Sequence, residues 1–140
     1  MGAPQPTRLV AYGYDLGGLT SRQWYVREVD EQGCLTVPWM QDNDFQWSAH
    51  NHWQKVTGLN PDEFRIERIG FDVIHHGEWD EEDVILAAVA EYVTDDRTFH
   101  EVRDQPYNPA WDQALAEALR LFGLTPLQPK PAWLERIAYT

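Results

Sequence analysis

The chain has 140 residues, 43% hydrophobic and 13% aromatic, so it is long enough for one cored domain and too apolar for disorder. Eleven Lys and Arg against 23 Asp and Glu leave a net charge of −12, which repels phosphate backbones and excludes nonspecific nucleic-acid binding without a local basic patch. No stretch approaches the ~20 apolar residues of a membrane span, and a single cysteine, Cys34, excludes an internal disulfide and fits a reducing cytoplasm.

Residues 1–7, "MGAPQPT", contain Gly and Pro and no apolar h-region. They are expected to be a disordered lead-in rather than a secretory signal, leaving one domain over 8–140. Residues 8–14 and 23–29 carry aromatic and β-branched side chains on either side of a Gly-containing connection, the pattern of a β-hairpin. "DEQG" at 30–33 reads as a second turn and "CLTVP" as a third strand stopped by Pro38, which predicts a three-stranded N-terminal meander.

A helix is predicted over 45–57, where Phe45, Ala49, His52, Trp53 and Val56 fall on one stripe. Asp44 supplies its N-cap and Gly58 its C′ residue. Asn60, Pro61 and Glu63 then open a short helix that closes at Gly70. "FDVIHHG" reads as a strand ending at Gly77. The apolar run "VILAAVAEYVT" at 84–94 suits a central strand and also satisfies helical spacing. The strand is preferred because "DDR" at 95–97 can turn it into an alternating "TFHEV". Asn108 and Pro109 start the clearest helix, with Trp111, Ala114, Leu115, Ala118, Leu119 and Phe122 on its stripe and Gly123 ending it. "AWLERIAY" follows as a last strand. The sum is a single α+β domain: a mostly antiparallel sheet with two main helices packed on one face.

Several stretches invite a chemical reading. "YGYDLGGLT" resembles the D-x-G-G-T phosphate hairpin of actin-like ATPases and sugar kinases, but Leu19 interrupts it and the chain cannot hold two lobes. A hairpin bend is expected there. Asp15 also resembles the first metal ligand of a ribonuclease-H-like fold, with Asp72, Glu91 or Asp112 as companions. That resemblance implies a metal-dependent phosphoryl-transfer enzyme as the second functional hypothesis. "HNH" at 50–52 puts His50 and His52 about 200° apart on a helix, so they cannot share an ion. His52 is expected as a hydrogen-bonded core histidine and His50 outside the core. His75 and His76 should face opposite sides of a strand, and the acids from Glu78 to Asp83 should form a solvated loop. Cys34, with no base in its vicinity, is expected to be a buried small hydrophobe.

Trp39, Trp47 and Trp79 have no interior assignment. Their convergence would make an aromatic contact patch rimmed by Asp42, Asp44 and the acids beginning at Glu78. With "YGYDLGG" near its start and "GLTPLQPKPAWLERIAY" at its end, the chain resembles uncharacterised small acidic proteins of actinobacteria and their phages. The resemblance implies no activity and no site residues. The sequence therefore points to a cytoplasmic, non-enzymatic interaction protein without cofactor or bound metal. Its partner would be a protein with a basic surface, or a second copy of itself.

Overall fold

The computed structural model describes residues 7–18, 23–42, 44–78 and 81–138, with Glu78, Glu81, Glu82 and Ala138 described as backbone only. The expected lead-in therefore lies outside the described residues, apart from Thr7, which already begins the first strand.

The elements run β1 (Thr7–Gly18), β2 (Gln23–Trp24), α1 (Phe45–Thr57), a 3₁₀ turn (Pro61–Glu63), α2 (Ile66–Ile69), β3 (Asp72–Glu78), β4 (Glu81–Val93), α3 (Asp96–Arg103), α4 (Pro109–Phe122) and β5 (Ala132–Ala138). The strands form one antiparallel sheet in the order β2-β1-β4-β3, with β5 joined to β1. β1 is the centre: β4 pairs along its length on one side, and the other side is shared by β5 and β2. The α+β architecture is the one the sequence predicts, and residues 84–93 belong to a strand.

α1 and α4 cover one face of the sheet. Ala49, Trp53, Leu115, Ala118 and Phe122 pack against Tyr12, Leu16, Val73, Val84 and Leu86 in the main core. Each large side chain removed from water there contributes about 1.5–3 kcal/mol. Tyr12 also ties α4 to β1, its hydroxyl donating to Asp112 Oδ1 at 2.8 Å. Burial and that carboxylate hold the Tyr12 phenol well above its ordinary range.

The other face is buried without a helix. Leu9, Ala11, Ile85 and Ala87 are fully enclosed among Ile74, Ala90 and Leu134, and every member of this cluster comes from a strand. The enclosure follows from curling of the sheet, which brings β3 and β5 into contact. The register of β1 on β4 shifts between Tyr12 and Gly13 and again between Asp15 and Gly17. Such bulges bend a strand and increase its twist, as closure of a small sheet requires. With both faces buried, β4 reads as a continuous apolar run rather than an alternation.

Two predicted elements come out differently. The hairpin of β1 and β2 forms, but only Gly17 and Gly18 pair with Trp24 and Gln23. Beyond it the chain leaves β1 for residues 125–127: Val26 lies opposite Pro126, and Arg27 N donates to Thr125 O at 2.9 Å. The third strand of the meander is reduced to one bridge, Val29 opposite Leu35. Cys34 lies exposed in that turn rather than buried. Residues 98–102, predicted extended, lie inside α3. Asp95 caps it, Oδ1 accepting from Thr98 N at 2.8 Å, and Phe99 and Val102, three apart, reach Val10 and Val93. The cap and that i, i+3 pair outweigh the weak alternation.

Between β2 and β5 the edge of β1 is open for a few residues, and Gln128 fills the gap. Its Oε1 accepts from Asp15 N at 2.9 Å and its Nε2 donates to Gly13 O at 2.9 Å, standing in for a strand. Gln128→Ala is expected to lower stability by about 1–3 kcal/mol in urea denaturation, since half-buried backbone groups lose their partners. A loss below ~0.5 kcal/mol would mean that water replaces the amide freely.

Candidate functional site

The aromatic patch expected from the sequence is partly assembled around α1. Asp44 Oδ1 accepts from Trp47 N at 3.1 Å and starts the helix. Phe45, Ala49 and Trp53 then turn into the core, whereas Val56, placed on the same stripe by the sequence, is 58% exposed. Ser48 takes an inner position instead. Its hydroxyl donates to Gln41 O at 3.1 Å and accepts from Gln41 N at 2.9 Å, which fastens the preceding loop to the helix.

That loop carries Trp39. Its indole Nε1 donates to Phe122 O at 2.9 Å, and its ring stacks on His52 at 5.6 Å with an interplanar angle of 19°. His52 is the hydrogen-bonded histidine the sequence predicts, 3.1 Å from Leu121 O. Trp39 is thus a core anchor with one edge outward. Trp47 is different: it is 51% exposed and lies off the buried stripe.

Trp39 and Trp47 line one cavity of about 140 Å³, together with Gln41, Asn51, His52 and Lys55. Trp47, Asn51 and Lys55 stand at i, i+4 and i+8, a row on α1 beside its buried stripe. Neither Asn51 nor Lys55 stands out in the sequence by residue type, and the i, i+4, i+8 spacing with Trp47 is the signal that marks them. Asp42 and Asp44 are exposed on the loop leading into α1, Asp42 in the left-handed region at φ 53° and Asp44 bound as the cap. Trp79 lies outside the described residues, Glu78 is described only as backbone, and neither Asp42 nor Asp44 lines the cavity.

Asp15, the candidate metal ligand, is occupied within the fold. Its Oδ1 accepts from Gly17 N at 2.9 Å, and its Oδ2 accepts from Arg136 Nη2 at 2.9 Å. Gly17 itself adopts φ 73°, and a Cβ there would meet Gln23 O at 2.2 Å, so the bend of "DLGG" requires glycine for backbone reasons. The companion acids stand apart. Asp112 accepts from Tyr12 and from Tyr107, the latter at 2.6 Å. Glu91 is exposed on β4. Asp72 lies at the start of β3. Among the described residues no group of three or more His, Cys, Asp or Glu side chains is placed to hold a metal ion.

His50 stays at the edge of the core, its side chain 39% exposed but half-covered on one side. Its ring lies against Phe64 at a centroid distance of 3.9 Å, with Nε2 4.0 Å from Asp72 Oδ1. Burial and the neighbouring His75 push the imidazole below its ordinary range. Burial pushes the Asp72 carboxyl up from 3.8 to about 6, against the opposing hydrogen bond from Val73 N. His76 points instead towards Asp83, Asp15 and Arg136, and burial lowers its pKa. The two adjacent histidines thus serve opposite sides of β3, as strand geometry dictates.

No helix among the described residues is long and apolar enough to cross a membrane. Comparison of the chain with protein-family models, curated proteins and solved structures finds no match.

Proposed function

We propose that this chain is a small, acidic, non-enzymatic interaction protein that receives a basic segment of a protein partner on the Trp39–Trp47 depression. The half-exposed indole of Trp47 carries the reading, because a large aromatic ring left at the mouth of a cavity resembles an interface anchor. An arginine or lysine of the partner would lie over that ring, where cation–π attraction contributes about 0.5–2 kcal/mol. Asp44, which caps α1 at Trp47 N, and Asp42, next in the chain to the lining residue Gln41, would supply opposite charge outside the cavity. The net charge of −12 adds long-range attraction for a basic surface. Asn51 and Lys55, further along the row, offer hydrogen bonds to the partner's backbone.

The test begins with a photo-crosslinking residue at position 51, which identifies the protein bound to this surface. Affinity is then measured with the purified partner. Trp47→Ala is expected to weaken binding at least tenfold with the melting temperature unchanged, since the side chain packs into no core. Glu91→Ala, which removes an acid from the sheet away from α1, is expected to leave affinity within about twofold. Equal affinity for the wild type and Trp47→Ala would refute the reading, as would the absence of any crosslinked protein.

A further inference from the structure

A second cavity, independent of the depression on α1, lies between α3 and the strands it covers. It measures about 180 Å³ and is lined by Val10, Phe99, Trp133 and Leu134 together with Arg103 and Glu135. Its floor is apolar and firmly held. Val10 is 1% exposed, Phe99 packs on Val10 and Val93, and Trp133 makes ring contacts with Tyr12 and Trp111. An enclosed apolar cavity of about 150 Å³ accepts a benzene ring. This depression, open to solvent on one side, has the volume for one aromatic or branched aliphatic group.

The two charged residues of the lining do not neutralise each other. Arg103, exposed in the last turn of α3, has no ion-pair partner among the described residues. Glu135 meets Arg8 Nη1 through Oε1 at 3.4 Å, a long contact that leaves Oε2 free. Arg8 is itself committed elsewhere, to Asp96 at 2.5 Å and to the face of Phe99 at 4.5 Å. A simple anion entering this cavity would meet Glu135, and a simple cation would meet Arg103. A neutral apolar molecule would desolvate both charges without return.

The geometry points to a ligand that carries both charges beside an apolar body: a free α-amino acid with a hydrophobic side chain. Its carboxylate would pair with the Arg103 guanidinium, whose fork geometry matches that group. Its ammonium would donate to Glu135. Its side chain would occupy the space between Val10, Phe99 and Trp133. A peptide terminus offers only one of these charges next to its terminal side chain, and is thereby disfavoured.

The experiment follows the indole signal of Trp133, assigned with Trp133→Phe, in heteronuclear NMR titrations with L-leucine and L-phenylalanine. At least one is expected to shift the signal saturably, with a Kd on the order of 1 mM for so small a ligand. N-acetyl-L-leucine and L-leucinamide, or the phenylalanine equivalents, each lack one charge and are expected to bind at least tenfold more weakly. Arg103→Gln should weaken the parent amino acid to the same extent, and being a surface change it should leave the melting temperature within ~2 °C. The inference is overturned if neither amino acid shifts Trp133 up to ~20 mM, far above the expected Kd. It is equally overturned if the singly charged derivatives bind within twofold of the parent. Should Arg103→Gln unsettle α3, the derivatives decide on the unaltered protein.

Discussion

Gly13→Ala is expected to destabilise this protein severely, by about 4 kcal/mol or more. A Cβ at position 13 would lie 1.9 Å from Leu86 O and 2.9 Å from Ala87 Cα, both backbone atoms of the central partner strand. No side chain can rotate away to relieve that overlap. Gly13 sits at the first register shift of β1, opposite Ala87 on one side and Ala132 of β5 on the other. Displacing β1 therefore breaks two ladders together. The cost is set above about 4 kcal/mol, in the range reserved for a core rebuilt around a steric clash, against a total stability of about 5–15 kcal/mol for a domain of this size. Circular dichroism and a proton–nitrogen correlation spectrum of the soluble fraction read the outcome. Gly33→Ala is the control: nothing lies within 4 Å of its Cβ, so only the strain of φ +81° remains, about 1–2 kcal/mol. If Gly13→Ala folds with a loss below about 2 kcal/mol, the close approach of β1 and β4 is not what bends the sheet.

The elements that could be read from the sequence are those whose signals are local. α4 starts on Asn108, whose side chain accepts from Ala110 N, and stops on Gly123 in the left-handed region, and both features are written in residue type. The strand at 84–93 is correctly preferred over a helix but for a reason that fails, since "TFHEV", read as its extended return, is helical in α3. What escaped depends on distant partners. Residues 25–29 look like a sheet strand, but Tyr25 O and Arg27 N bond to Leu127 N and Thr125 O, a pairing that no local pattern announces. α3 was misread because Phe99 and Val102 were counted with polar neighbours as an alternation, when their separation already fitted a helix. The curl of the sheet rests on two register shifts, and a bulge is visible only once the partner strand is known. The candidate site was half legible. Trp39 and Trp47 were singled out for lack of an interior place, yet Trp39 turned out to be bonded to the core through its indole. Asn51 and Lys55 passed unnoticed because exposed polar residues on a helix ordinarily carry no signal.

Asp72→Asn is expected to stabilise the protein at neutral pH. The folded carboxyl titrates near 6 against an ordinary value of 3.8, so at neutral pH the fold holds an anion that burial disfavours. A shift of about two pH units corresponds to about 2–3 kcal/mol, and the side chain is 26% exposed, so solvent screening removes only part of it. The sign follows from the raised value. This group's contribution to stability is fully present below 3.8, where both states are protonated, and is lost as pH rises through 6. Asparagine keeps an oxygen to accept from Val73 N, which the native Oδ1 meets at 2.7 Å, and removes the charge. The variant should therefore exceed the wild type by about 2 kcal/mol in urea denaturation around neutral pH, and the difference should vanish on acidification towards 4. His50 and His76 act in the opposite sense. Both are held below their ordinary 6.5 by burial, so they favour the fold above that value and weaken it as pH falls. In the wild type the two slopes partly cancel between 4 and 6.5; in Asp72→Asn the histidine slope stands alone, and the stability of the variant should fall steadily through that interval. A variant less stable than the wild type at neutral pH would show instead that Asp72 is held as an anion by a protonated His50, the 4.0 Å contact then being a working ion pair.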